Sequence, residues 1–342
     1  MDDTHAHGLH CIGPRSPEDV LRLQEAEEAC SEEMWVILGD IYMDRPLVVA
    51  ALRRVLGTFD AMEPPPALFV FMGDFCSHPA GASASGLDAS KGALPEEVES
   101  YRACMLVCLT ACATVCTAAF ESLGEVLREF NTLLEHSAFA FVPGPGDPSL
   151  SPTLPRPGLP LSLTRALRAA APKAVLCSSP SRLRWHATDV VLFREDLAAR
   201  MRRACVLPPV EDPPGNGDAM DEGTAEENVH ESPEATAAKA AHARGCSLFS
   251  SLCATVLQQS HLVPLPLVHA PCLWQYDHSL WLFPQPQVLI MADRTAPQTS
   301  CEFEGCTCIN PGAFGADGSF VVFKPATREV QLSGLPLSDT VS

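Results

Sequence analysis

Two apolar runs that each end in a Gly-Asp pair constrain the fold of this chain more than any other feature. Residues Met34–Asp40 read MWVILGD and residues Ala67–Asp74 read ALFVFMGD. Each run predicts a buried strand, and Asp44 followed by Pro46 predicts an N-cap and a helix start between them. A third strand is predicted over Ala138–Val142. Strands that alternate with helices in this way predict a largely parallel sheet covered by helices.

The second half of the chain predicts strands of mixed direction. A helix is expected over Leu161–Ala171 and another over Arg194–Cys205, and SLFSSLCATVLQQ is typical of a third. The predicted strands lie within KAVLCSS, RLRWHA, TDVVLF, LWLF and QVLIMAD, and SFVVFKP with REVQLS predicts a closing antiparallel pair. A short helix is expected over Pro17–Cys30, and a longer one is expected to start near Pro95.

Two stretches lack the pattern of a folded element. Residues 77–94 are small, polar and rich in glycine, which predicts a mobile loop. Residues 211–245 contain nine acidic and two basic side chains and almost no large apolar ones. That composition predicts a disordered acidic insert.

Composition narrows the classes of partner. The formal net charge of −19 argues against a broad phosphate-binding surface, so a protein partner is the expectation. The fifteen cysteines, without a visible signal peptide, are expected to be reduced. The uncharged run Ala103–Phe120 reaches the lower limit for a membrane span, but its amphipathic continuation favours a half-buried helix and no membrane contact.

Several strings of residues identify a family resemblance. They are FVPGPGDP, LPRPGLP, VLFREDL, SHLVPLPL and CINPGAF. In this order and spacing the chain resembles the B subunits of DNA polymerase epsilon, which belong to the inactivated calcineurin-like phosphoesterases. The resemblance implies an α/β metallophosphoesterase-like β-sandwich of mixed sheets, flanked by helices, with a degenerate metal site.

The same resemblance implies which positions are remnants of that metal site. Three acids that follow strands would be retained, and the family's metal-binding histidines and asparagine would be replaced. The remnant positions are Asp40, Tyr42, Asp74, Ser77, Pro145, Gly146, Asp147 and Asp293. No catalytic residue, metal ligand or cofactor is expected. The carboxylates are expected to cap turns and helix ends, and a single hard cation such as Mg²⁺ is the alternative.

The resemblance also sets the expected domain organisation. Residues 1–33 would be a polar lead-in, and residues 34–342 would form the phosphoesterase-like domain that carries the loop 77–94 and the insert 211–245. The oligonucleotide-binding-type barrel and the small helical domain of the family are expected to be missing before Met34.

The function implied is that of a non-catalytic scaffold subunit in DNA replication. The expected partners are the C-terminal zinc-binding region of the polymerase epsilon catalytic subunit, other replication-complex subunits, and DNA indirectly through the complex, in the nucleus. One alternative is a residual or divergent metallophosphoesterase, and the other is a free-standing interaction protein. The candidates for interface residues are Pro155, Arg156, Pro157, Trp274, Tyr276 and Trp281.

Two further groups of residues have competing interpretations. Trp274, Tyr276 and Trp281 could stack on nucleic-acid bases, but the lack of accompanying lysine or arginine favours a core or a protein interface. Cys301, Cys306 and Cys308 could form part of a thiolate site, although no fourth ligand lies nearby in sequence. Loop cysteines beside a strand are the favoured interpretation of the three.

Overall fold

The computed structural model describes residues 17–78, 113–148, 153–204 and 248–337. Within these ranges the chain forms two mixed β-sheets and the helices that cover them. The predicted loop from residue 79 onwards, the start of the predicted helix near Pro95 and the acidic insert lie outside the described residues.

The first sheet has six strands. Their bounds are β1 Trp35–Gly39, β2 Leu68–Met72, β3 Ala138–Val142, β4 Val175–Leu176, β10 Ser319–Lys324 and β11 Glu329–Gly334. Their order in the sheet is β11-β10-β1-β2-β3-β4. Strands β1 to β4 are parallel, and β10 and β11 add an antiparallel pair beside β1.

The second sheet has five strands. Their bounds are β5 Ser181–Trp185, β6 Thr188–Arg194, β7 Val288–Ala292, β8 Thr299–Phe303 and β9 Cys306–Asn310. Their order in the sheet is β5-β6-β7-β9-β8. Strands β6, β7 and β9 are parallel, and the edge strands β5 and β8 run antiparallel to their neighbours.

Helices cover the outer faces of both sheets. Those that the structure bounds fully are α1 Pro17–Ala29, α2 Pro46–Asp60, α4 Asn131–His136, α5 Arg165–Ala170, α6 Leu197–Ala204, α8 Phe314–Asp317 and a 3-10 helix over Trp274–Leu280. Helix α3 is described over residues 113–128 and helix α7 over residues 248–258. No helix within the described ranges is both long and apolar enough to span a bilayer.

The core has three layers because each sheet is buried on both faces. Between the sheets lie apolar side chains such as Ile37, Val70 and Ile290. On the outer face of the first sheet, helices α2 and α3 pack on four phenylalanines whose rings stack across β2 and β3: Phe69, Phe71, Phe139 and Phe141. Helix α7 covers the outer face of the second sheet. The predicted fold class, an α/β sandwich of mixed sheets flanked by helices, is confirmed.

The structure bears out most of the predicted elements and corrects four. The helix predicted over Arg194–Cys205 covers only Leu197–Ala204, because Arg194 is the last residue of strand β6. Asp44 is not an N-cap: helix α2 begins after Arg45 without a side-chain cap, and the Asp44 carboxylate accepts the Ser77 N–H at 2.8 Å instead. LWLF is not a strand, since Trp281 forms only an isolated bridge with His261. The predicted helix over Leu161–Ala171 is shorter and covers Arg165–Ala170, and strands β8 and β9 were not predicted.

The polar lead-in contacts the second sheet. Glu27 of α1 accepts hydrogen bonds from the Thr188 hydroxyl at 2.7 Å and from the Ala187 N–H at 3.1 Å. Glu33 accepts the Trp185 indole N–H at 3.0 Å. These bonds attach the predicted lead-in to the β5–β6 hairpin.

Candidate functional site

Three carboxylates meet where the first three strands end. Asp40 follows β1, Asp74 follows β2 and Asp147 lies in the loop after β3, and all three side chains are buried. The Asp74 N–H donates to Asp40 Oδ1 at 2.7 Å, and the Gly146 N–H donates to Asp74 Oδ1 at 2.6 Å. Asp147 Oδ1 accepts the Phe75 N–H at 2.8 Å. The strand-end loops are therefore bound to one another through their acids.

A guanidinium from the opposite sheet lies among these acids. Arg194 ends β6, and its side chain is 0% exposed. Its Nη2 donates to Asp40 Oδ1 at 2.7 Å and lies 3.9 Å from Asp74 Oδ2. Its Nε donates to the Gly73 carbonyl at 2.6 Å, and its Nη1 donates to Asp196 Oδ1 at 2.7 Å. One fixed cation thus joins the strand ends of both sheets.

A second guanidinium closes the outer side of the cluster. Arg294, which is half exposed, lies 3.6 Å from Asp74 Oδ2 and pairs with Asp196 Oδ2 at 2.9 Å. Beside this cluster, the Tyr42 ring lies 4.9 Å from the Arg45 guanidinium carbon. Tyr42, which stands where the resemblance implies a lost histidine, therefore contacts the Arg45 guanidinium.

Burial and the excess of carboxylates raise the pKa values of several groups in the cluster. Burial, joined by the charge of Asp74 and opposed by that of Arg194, raises the pKa of Asp40 to about 6. Burial and the Asp74 charge raise the pKa of Asp147 well above its ordinary value. The neighbouring carboxylates outweigh the burial of Arg194 and raise its pKa, so this guanidinium stays charged.

Glycines let the two acidic loops approach each other. A Cβ atom on Gly144 would lie 2.3 Å from Asp74 Oδ1, and one on Gly146 would lie 2.9 Å from the Asp74 carboxyl carbon. Any side chain at either position would displace Asp74. Glycine is therefore required at position 146 for its backbone N–H to reach the Asp74 carboxylate.

Two other remnant positions bond elsewhere. Asp293 follows β7, and its Oδ2 accepts the Ala198 N–H at the start of α6 at 2.7 Å, while its Oδ1 accepts the Thr295 N–H at 2.8 Å. Ser77 bonds Asp44. The Asp293 carboxylate caps a helix, which is the role that the sequence interpretation expected of these acids.

The residues of this cluster do not fit a binuclear metal centre. Asp40 and Asp74 face a guanidinium, and Asp147 has both carboxylate oxygens on backbone N–H groups, those of Phe75 and Gly144. In the described part of the chain, the strand-end acids bring no three metal-ligating atoms within 4.8 Å of one another. Two divalent ions would also face the positive charges of Arg194 and Arg294.

The proline-rich candidates for an interface differ in exposure. Pro157 is exposed and Pro155 is half buried, but Arg156 is only 2% exposed. The Arg156 guanidinium pairs with the buried Glu195 carboxylate and donates to the Arg194 carbonyl at 3.1 Å. Arg156 thus connects the proline-rich loop to the strand that carries Arg194.

The aromatic candidates lie on the surface with apolar neighbours. Trp274 is 77% exposed, and Tyr276 and Trp281 are about half exposed. The Trp281 indole N–H donates to Asp277 Oδ2 at 3.0 Å, and Asp277 lines a cleft together with Trp274 and Leu267. We call the exposed apolar residues of the segment 267–283 the apolar patch: Leu267, Val268, Leu273, Trp274, Tyr276, Trp281 and Phe283.

Sequence reasoning missed Arg194, the central cation of the site. Its string VLFREDL carried the family resemblance but suggested no role. One signal was available: the arginine ends an apolar strand and precedes two acids, and the chain has no histidine at the remnant positions. Such a pattern indicates a buried cation where a metal site has lost its ligands. Val268 and Phe283, exposed at 90% and 83%, were also missed.

Comparison with known proteins finds similarity to one group of polymerase subunits. A family model described as the B subunit of DNA polymerase alpha/epsilon matches residues 35–301. The DNA polymerase epsilon B subunit of Arabidopsis thaliana is 35% identical over 94% of this chain and 50% of its own length. DNA polymerase epsilon subunit 2 of Homo sapiens is 30% identical over 92% of this chain and 48% of its own length.

The chain spans about half the length of these curated relatives. A more distant relative, the DNA polymerase epsilon B subunit of Saccharomyces cerevisiae, is 28% identical over 86% of this chain and 41% of its own length. Among solved structures, the protein TT1561 of Thermus thermophilus aligns with a TM-score of 0.38 and 13% identity, over 88% of this chain and 98% of that protein.

Proposed function

This chain belongs to the family of DNA polymerase alpha/epsilon B subunits, and from that premise we propose that it is a non-catalytic accessory subunit of DNA polymerase epsilon. In this role it binds the C-terminal zinc-binding region of the catalytic subunit and supports replication in the nucleus. Other replication-complex subunits are further partners, and the chain contacts DNA indirectly through the complex.

The observation that carries this proposal is the buried Arg194 guanidinium among Asp40, Asp74 and Asp196. A phosphoesterase needs its strand-end acids free to hold metal ions that activate water. Here the acids instead join the two sheets through a fixed cation, which suits a rigid scaffold. The interpretation as a residual metallophosphoesterase would require Arg194 to leave a fully buried position.

The apolar patch supports a protein partner. The described residues that line its cleft include a single acid, Asp277, and no lysine or arginine, and the one guanidinium bonded to the patch, that of Arg182, donates to the Trp281 carbonyl. A surface for single-stranded nucleic acid carries more positive charge than this. Exposed tryptophan and other aromatic side chains beside a cleft are typical of the central residues of protein interfaces. We place the catalytic-subunit contact on this patch.

The test is co-expression of the 342-residue chain with the C-terminal region of the catalytic subunit, followed by affinity purification and a binding titration. Trp274→Ala is expected to weaken binding by about tenfold or more, since buried aromatic anchors contribute at least that much. The unaltered chain is expected to co-purify with the C-terminal region of the catalytic subunit in a one-to-one ratio.

A matched pair of leucines provides the control. Leu267→Ala removes a leucine of the apolar patch, and Leu161→Ala removes a leucine outside it. The two leucines have similar exposed fractions, 53% and 62%. Only the first is expected to weaken binding. Equal affinity for both variants, with Trp274→Ala also unchanged, would remove the patch from the interface, and failure of the unaltered chain to capture the catalytic subunit would refute the proposed function.

A further inference from the structure

Three thiols from distant parts of the chain converge on the outer face of the second sheet. Cys253 lies in α7, and Cys301 and Cys308 lie in β8 and β9. Their Sγ atoms all lie within 4.8 Å of one another. In the described part of the chain this is the only group of three such ligand atoms at that spacing.

The hairpin between β8 and β9 fixes two of these thiols. Glu304 and Gly305 connect the strands, and their φ angles of 48° and 78° are those of a type I′ turn. This two-residue turn places Cys301 directly opposite Cys308, so both side chains extend from the same face of the sheet. That face is the one against which α7 packs with Cys253.

The spacing is close to that of a thiolate metal site. Zinc–sulfur bonds of about 2.3 Å in a tetrahedral site place the sulfurs about 3.8 Å apart. The three sulfurs would each have to move by less than about 1 Å to reach that separation.

The surroundings of the three thiols also suit a metal ion. Cys253 and Cys308 are buried and Cys301 is half buried, so the three thiols are largely shielded from water. Cys301 is half buried, which leaves a path for an ion to enter. Cys306 is fully buried, and its backbone carbonyl accepts the Cys308 thiol at 3.9 Å.

We propose that Cys253, Cys301 and Cys308 bind a zinc ion that fixes helix α7 to the β8–β9 hairpin. On binding, each thiol loses its proton to solvent and its sulfur bonds the metal, so no oxidant or reductant takes part. The competing interpretation is that these cysteines only pack as small apolar side chains, as buried cysteines commonly do. The two interpretations differ in metal content and in the effect of a serine substitution.

The first experiment measures zinc in the 342-residue chain after purification without chelator or a metal-affinity tag. We expect about one zinc ion per chain, and Cys301→Ser is expected to lower zinc affinity by about tenfold or more. The matched control is Cys177→Ser, which alters a buried thiol outside the cluster and should leave the zinc content unchanged. Zinc-free unaltered chain, or equal zinc in both variants, would overturn the proposal.

A second measurement needs no variant and therefore does not depend on whether a variant folds. The metal-stripped chain is titrated with Co²⁺, and the thiolate-to-cobalt charge-transfer absorption is recorded. The proposal predicts that this absorption rises and saturates at about one equivalent. If Co²⁺ produces no thiolate absorption in the folded chain, the three thiols do not form a metal site.

Discussion

Arg194 determines the character of the strand-end cluster at the scale of single residues. Its guanidinium has no exposed surface, and it contacts carboxylates that follow β1, β2 and β6. A buried charge without its partner is costly, so the cation and the acids depend on each other. The arrangement explains how a fold with clustered strand-end acids can remain stable without metal ions between them.

Arg194→Met tests this dependence. Methionine keeps an apolar stem but leaves Asp40 and Asp74 without their buried counter-charge, so the free energy of unfolding should fall by about 3–5 kcal/mol. The control is Arg184→Met, which breaks a largely surface pair with Asp189 and should cost less than about 1 kcal/mol. Urea unfolding of both variants measures the difference, and equal losses would contradict the central role of Arg194.

The pH dependence of stability provides a second test at this scale. A carboxyl group whose pKa is higher in the folded state binds more proton there, so the free energy of unfolding falls as pH rises between the two pKa values. For Asp40 that window runs from its ordinary pKa of 3.8 to about 6. Burial and Asp74 raise the pKa, so the stability associated with the bound proton is present below pH 3.8 and lost by about pH 6.

Asp40→Asn should remove the contribution of Asp40 to this slope, whereas the raised pKa values of Asp147 and Asp293 give both proteins a further slope of the same sign. Between about pH 4 and 6 the unaltered chain is expected to lose up to about 3 kcal/mol relative to the variant, from a shift of roughly two pKa units. The paired carboxyl of Asp196 does not interfere, because its pKa is lowered and its contribution is lost only at lower pH. Parallel stability curves for the two proteins across this window would show that Asp40 does not take up the proton.

At the scale of elements, four of the strings that carried the family resemblance supply residues that bond loops and strand ends. FVPGPGDP supplies Asp147 and its glycines, VLFREDL supplies Arg194 and Glu195, and LPRPGLP supplies Arg156, which pairs with Glu195. In CINPGAF, the Asn310 amide donates to three backbone carbonyls, those of Asp293, Ala296 and Pro297. These strings bind loops together rather than presenting groups for catalysis.

Element prediction from sequence succeeded where a strand or helix is strongly apolar. Strands β1, β2 and β3 are uniform apolar runs, so their positions and the meeting of Asp40, Asp74 and Asp147 could be predicted. Strands β8 and β9 could not, because TSCEF and CTCIN are not uniform apolar runs, although β9 is an inner strand of its sheet. The position of Arg194 depends on pairing between residues 154 positions apart, which no local pattern records.

Alanine substitutions at two glycines are expected to change the stability of the fold in opposite directions. Gly57 lies inside α2, and a Cβ there would make only an ordinary 3.6 Å contact with Phe130. Gly57→Ala should therefore stabilise the fold by roughly 0.5–1 kcal/mol. Gly305→Ala meets no atom within 4 Å but places alanine at a φ of 78°, so it should destabilise by about 1–2 kcal/mol. Thermal unfolding of both variants checks the signs, and stabilisation by Gly305→Ala would exclude the type I′ turn.

At the scale of the whole molecule, the strand-end cluster and the apolar patch occupy different parts of the sandwich. The strand-end cluster is buried and joins the sheets, whereas the apolar patch faces solvent beside the second sheet. The first gives rigidity and the second offers a preformed surface for a partner, which is the division expected of an accessory subunit. Neither feature requires the metal chemistry of a phosphoesterase.

The measurement that tests this account most directly is affinity purification of the native protein from nuclear extract, with quantitative mass spectrometry. The account predicts that the catalytic subunit of DNA polymerase epsilon is recovered in a stoichiometric amount with the intact chain. Intact chain that is recovered from the same extract without the catalytic subunit would contradict the central claim.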